Sequence, residues 1–268
     1  MYKLKPNQEV SLFLAILAIG RIASNPSTDI FIHLAASLGL SILLYYLFKV
    51  ISKKPKLLSN TITTGLIIFL VHNHNFGTGN LGITYATILA TFAAISLKFF
   101  FQVKASTIIN PAVFGLLLSY LILPTTFLSW WGTNYNFALG EQKIPLALIL
   151  LALWIIFGLK RWRKFPSLLS FLIVSAIGIY LGKGLDTFSF TFTDGTIYFL
   201  GAIMLIDPKT SPILKKDQLI FGTVAGLSLV LLKIFSESLP SELLAITIAN
   251  ISFFISKLSK IAKQKRAK

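Results

Sequence analysis

The chain of 268 residues contains no cysteine, three histidines and few charged residues. Without cysteine there are no disulfides, no thiolate metal sites, no cysteine-held iron–sulfur cluster and no cysteine nucleophile. Charged residues are 13% of the chain, about half the share of a soluble domain. Acidic side chains are scarcest, nine against 25 lysines and arginines. None of the nine lies in the middle of an apolar segment. A carboxylate proton relay or ion site inside a bilayer would place at least one there, so a self-sufficient ion pump is not expected. A phosphate-cradling glycine-rich motif, HExxH and GxSxG are also missing, and with them any Rossmann-type NAD site.

Apolar residues are abundant: 55% of the chain is hydrophobic and the mean hydropathy is +0.78. Long apolar runs recur from Val10 to Ser256. This pattern predicts an all-α polytopic membrane protein. Ten apolar segments are read, at about 9–24, 28–51, 59–72, 82–102, 108–123, 144–160, 166–182, 195–206, 216–235 and 241–258. Segments 59–72 and 195–206 are too short to cross about 30 Å of hydrocarbon at 1.5 Å per residue. Short segments with polar flanks read as broken helices. Alternating loops along this order collect 21 of the 25 basic residues on one side. Only Arg21, Lys143, Lys183 and Lys233 fall on the other. The positive-inside rule then predicts a multi-pass protein of the cytoplasmic (inner) membrane with both termini in the cytoplasm.

The expected organisation is a single transmembrane domain, 1–258, with halves of about 1–140 and 141–258. A basic tail, 259–268, continues from Lys257 and suits anionic lipid headgroups. Lys3 and Lys5 before an apolar stretch imitate a signal peptide, but no small-x-small cleavage site follows, so a retained first span is expected. The net charge of +16 is dispersed over short loops, which argues against nucleic acid as a partner. The outer loop Pro124–Lys143 carries Trp130, Trp131 and Tyr135. These suit either an interfacial belt or a platform for a flavin or quinone ring. His33, His72 and His74 fall near one side. Their spacing is not that of a ligand set, so they read as solvated loop residues with no metal.

Two polar interruptions stand out. One is Ser106-Thr107-Ile108-Ile109-Asn110-Pro111. Proline is tolerated in a helix's first turn, and Asn110 or Thr107 can cap the free N–H groups there. Those N–H groups also attract anions or a ring carbonyl. The other is Asp207-Pro208-Lys209-Thr210-Ser211-Pro212, in which Asp207 can close an Asx-type turn onto Lys209 and Thr210 or orient a ring N–H. Thr61 to Leu70 faintly echoes Asp194 to Gly201, and Asn110-Pro111 echoes Leu239-Pro240-Ser241. Five spans followed by five inverted spans is the repeat expected, with ligands near the ends of the broken helices.

At these residues the sequence resembles the NqrB/RnfD family, the membrane subunits shared by the sodium-pumping NADH:quinone reductase and the Rnf electron-transport complex. Three anchors carry the resemblance: Thr63-Thr64-Gly65-Leu66-Ile67; Lys98 followed by Asn110-Pro111-Ala112 and Gly115; and Asp207 to Pro212 leading into Phe221-Gly222 and Gly226. The resemblance implies a urea-transporter-like 5+5 inverted repeat. It also implies an electron-transfer subunit of an ion-transporting redox complex that binds flavin, FMN or riboflavin. The site residues it points to are Thr63, Thr64, Gly65, Lys98, Asn110, Pro111, Asp207, Thr210 and Ser211. Partners would be other redox-complex subunits or a soluble flavin reductase. The family's Ser-Gly-Ala-Thr loop, where threonine carries covalent FMN, has no match; the corresponding loop reads Ser129-Trp130-Trp131-Gly132-Thr133-Asn134. Non-covalent flavin is therefore expected and covalent FMN is not. The chain resembles a shortened, divergent member. Two alternatives stay open: a transporter or channel for a small solute or flavin, and a membrane anchor that docks a soluble reductase on Lys160-Arg161-Trp162-Arg163-Lys164.

Overall fold

The structure, a computed structural model, describes residues 6–24, 26–52, 58–72, 81–102, 107–123, 130, 132–139, 142–158, 162–236 and 239–266. Ten helices form among the described residues. They are α1 Pro6–Ser24, α2 Thr28–Ser52, α3 Leu58–Val71, α4 Leu81–Phe100, α5 Pro111–Ile122, α6 Leu146–Gly158, α7 Phe165–Thr193, α8 Gly195–Met204, α9 Lys215–Phe235 and α10 Ser241–Arg266. Each overlies one of the ten apolar segments. Three departures have local causes. Residues 185–193, expected in a loop, continue α7 after a break at Gly184, whose φ of 81° suits glycine. The basic tail extends α10 as far as Arg266. A small antiparallel hairpin, β1 Phe137–Leu139 with β2 Gln142–Ile144, interrupts the expected all-α chain.

Capping starts the helices where the sequence placed polar residues. The Ser27 hydroxyl accepts from the Ile30 N–H at 3.4 Å and opens α2. Asp194 accepts from the N–H and the hydroxyl of Thr196, both at 2.8 Å, and opens α8. Wide π-type turns lie within α2, α6 and α8, at Ala35–Gly39, Trp154–Gly158 and Leu200–Met204. Such turns free backbone carbonyls for side chains. Ser37 donates to the His33 carbonyl at 2.8 Å, and the Trp154 indole donates to Ala202 at 3.0 Å.

Helices α3 and α8 form the centre. Residues 66–71 and 199–206 are all buried. Each short helix approaches a longer neighbour through glycine. A Cβ on Gly65 would sit 2.7 Å from the Ser41 hydroxyl of α2, and one on Gly201 would sit 2.6 Å from Leu168 of α7. Outside them, Thr28–Ser52, Phe165–Thr193, Lys215–Phe235 and Ser241–Ser259 are long and apolar enough to cross a bilayer. Their outward faces are apolar: Val50, Leu181 and Phe235 are each more than three-quarters exposed. In water such a surface would aggregate, so these helices identify a membrane protein.

Candidate binding cleft at the ends of the short helices

A cleft of about 620 Å³ opens where the start of α3, the end of α4, the start of α5 and the end of α8 meet. Thr63, Thr64, Lys98, Asn110, Pro111 and Asp207 all line it. Residues from the three sequence anchors thus share one wall, although Asn110 and Asp207 are 97 positions apart.

Asn110 is the joint between the two halves of the chain. Its side-chain oxygen accepts from the Ala112 N–H at 3.0 Å, capping α5 with Pro111 in the first turn. Its amide N–H donates to the Met204 carbonyl at 3.3 Å and to the Asp207 carboxylate at 3.4 Å. One side chain therefore closes the start of α5 and the end of α8. Asp207 makes the expected Asx turn: its carboxylate accepts from the Lys209 N–H at 3.1 Å. Its backbone carbonyl accepts from the N–H groups of Thr210 and Ser211 at 3.1 and 2.9 Å.

Lys98, in the last turn of α4, is buried with 7% exposure. Its ammonium donates to the Asn60 carbonyl and the Thr64 hydroxyl. The Thr63 hydroxyl shares a 2.7 Å hydrogen bond with Ser11 of α1 and donates to Ser59 at 2.9 Å. Val10, Ile67, Ile203, Pro208 and Trp162 complete the apolar wall, and the Trp162 indole donates to Glu9 at 3.4 Å. The cleft thus has an apolar slot with amide, carboxylate, hydroxyl and ammonium groups along its edges. An apolar wall with a few convergent polar groups is the make-up of a small-molecule pocket.

Three expected site residues lie off this wall. Gly65 serves the contact with α2. Thr210 faces a smaller neighbouring cavity. Ser211 accepts from the Lys164 ammonium at 2.9 Å. Lys164 also donates to the carbonyls of Ser211 and Pro212 and is buried. Burial lowers its pKa to about 8, and nearby Asp207 opposes that shift. Lys164 therefore holds the Asp207–Pro212 loop and is not an exposed docking residue; Lys160 and Arg161 lie outside the described residues.

Further readings change with tertiary packing. Thr107 does not cap α5; its hydroxyl is buried without a partner. Trp130 and Tyr135 are buried and join the core instead of forming an exposed belt. The Trp130 N–H donates to Val71, and the Tyr135 hydroxyl donates to Leu17 at 3.2 Å. Trp131 lies outside the described residues. His33 and His72 are fully buried, correcting the solvated-loop reading. They flank the Thr87 hydroxyl at 3.3 and 2.7 Å. His74 lies outside the described residues, and no metal-holding cluster of three or more His, Cys, Asp or Glu occurs among those described.

Sequence reasoning missed Asn60 and Trp162. The signal for Asn60 was present: Asn60, Thr63, Thr64 and Ile67 follow i, i+3, i+4, i+7 spacing, one helical face. Nothing local marks Trp162. No protein-family model matches the chain, and no curated protein sequence matches it.

Proposed function

We propose that the cleft binds a flavin non-covalently and that the chain is a membrane electron-transfer subunit of a redox complex. The observation that carries this reading is the convergence of Thr63, Thr64, Lys98, Asn110, Pro111 and Asp207 on one cleft. The residues fit the group chemically. Val10, Ile67, Ile203 and Pro111 suit the faces of an isoalloxazine ring, and the Asp207 carboxylate offers an acceptor for a ring N–H at its polar edge. A bound flavin supplies one- and two-electron transfer. Lys98 holds positive charge at the wall, which favours an electron-rich ligand over a neutral one. The cleft residues bind and orient; donor and acceptor proteins would be neighbouring redox subunits or a soluble flavin reductase.

The same reading takes the ten helices as ten spans of an inverted 5+5 repeat in the cytoplasmic membrane. The packing supports it: the α1–α3, α2–α4 and α4–α5 contacts recur as α6–α8, α7–α9 and α9–α10, and α1 meets α6 as α5 meets α10. Gently purified protein should be yellow and release FMN or riboflavin on denaturation without proteolysis. Colourless protein that binds neither added flavin defeats the proposal.

One observation favours a second reading, a solute transporter on the same frame. A second cleft lies at the opposite end of α8, lined by Asp194, Thr196, Lys233 and Glu242. Solute flux into proteoliposomes from flavin-free protein would select this reading.

A further inference from the structure

Beside the cleft lies a small, narrow cavity, lined by Thr107, Ile108, Lys209, Thr210, Asn250, Phe253, Phe254 and Lys257. Thr107 and Lys209 border both spaces. Three polar side chains from three separate segments meet in this cavity: Thr107 before α5, Thr210 after α8 and Asn250 on α10. They are 3%, 3% and 1% exposed. The two hydroxyls and both polar atoms of the Asn250 amide have no hydrogen-bond partner.

Four polar atoms that no protein group pairs thus gather in one buried place, where leaving them unpaired is costly. An amide whose donor and acceptor are both orphaned is not explained by a flipped assignment, since exchanging N and O leaves both unmet. Helix α10 carries an asparagine here among Ile248, Ile251 and Phe253, where an apolar residue would pack without cost. Lys209 and Lys257 stand at the rim, and no carboxylate among the described residues lines the cavity.

We infer that Asn250, Thr107 and Thr210 form a binding subsite for a hydrogen-phosphate-type oxyanion, held at the rim by Lys209 and Lys257. The oxyanion's oxygens accept from the Asn250 N–H and the two hydroxyls, and its P–OH donates to the Asn250 carbonyl oxygen. That acceptor selects a protonated oxyanion over sulfate, which has no proton to give at neutral pH. The subsite does not depend on the cleft holding flavin. Its phosphate comes from free solution, from a phosphorylated ligand lying in the cleft, or from a lipid headgroup.

The test uses the full chain in nanodiscs of phosphatidylcholine, with radiolabelled inorganic phosphate in equilibrium binding. Saturable binding is expected, with sulfate competing at least about tenfold more weakly. Thr210→Val keeps the shape and removes the hydroxyl, and should weaken binding about tenfold; Asn250→Leu should weaken it more. FMN binding tighter than riboflavin only when Asn250 is present assigns a ligand-borne phosphate. Displacement of phosphate by phosphatidic acid vesicles assigns a headgroup, and neither effect assigns the free ion. Absence of saturable phosphate binding in the unsubstituted protein, as a site filled only by water would give, overturns the inference. So does binding that Thr210→Val and Asn250→Leu both leave unchanged.

Discussion

The cleft at Asn110 and the cleft at Asp194 are built on the same frame and filled with different chemistry. They lie at opposite ends of α8. Each takes a lysine from the last turn of a helix, Lys98 of α4 or Lys233 of α9, and residues from the start of the next, Asn110 and Pro111 at the start of α5 or Glu242 in α10. Lys98 donates to a carbonyl and a hydroxyl. Lys233 instead forms a 2.7 Å salt bridge with Glu242. A repeated frame therefore dictates where polar groups gather without dictating what they bind. The Asn110 cleft engages its lysine with a carbonyl and a hydroxyl of α3, whereas the other cleft engages its lysine with its own carboxylate.

Asn110→Leu should break this comparison most severely. It removes the cap of α5 and the bridge to Met204 and Asp207 together. Flavin retention on gel filtration should fall at least about 100-fold, and stability should drop by about 2–3 kcal/mol, read as a lower melting temperature. Retained flavin at full occupancy would move the site away from this cleft.

Lys98→Met should follow, with flavin affinity about tenfold weaker and a lower midpoint potential in a redox titration, since positive charge favours the reduced, electron-rich state. Lys233→Met at the matching position should change neither. Equal effects of the two substitutions would erase the distinction between the clefts.

A smaller effect concerns pH. The pKa of Lys164 is lowered from its ordinary value to about 8 by burial. The unfolded chain then binds more protons between about pH 8 and pH 10.5, so stability should rise with pH across that window and level off above it. Lys164→Met should flatten that rise in melting temperature. The smallest effect belongs to Glu242→Gln. Its salt bridge is partly exposed, so stability should change by no more than about 1 kcal/mol in thermal unfolding, with flavin binding unaltered.

Much of the fold is legible along the chain because apolar runs and caps are local. Pro111 after Asn110 and Pro208 after Asp207 mark helix ends without reference to any other segment. The candidate site was partly legible for the same reason: a polar residue breaking an apolar run declares itself. Asn250 was not legible, since one amide in a helix carries no sign of what faces it. His33 and His72 were misread because loop proximity does not reveal whether another helix covers a side chain. Trp130 was misread likewise; its indole meets Phe199, 69 positions later.

The sequence by itself determined the ten helical segments, most of their starts, the membrane character and the two polar breaks at Asn110 and Asp207, because hydropathy, proline geometry and capping act over a few residues. The tertiary structure alone decided that these breaks meet, that Lys98 and Asn60 join them, that Lys164 clamps the loop, and that Thr107, Thr210 and Asn250 share one buried cavity. Burial and hydrogen-bond partnership are relations between distant segments, and they take their value only when α3 and α8 are packed at the centre of the other helices.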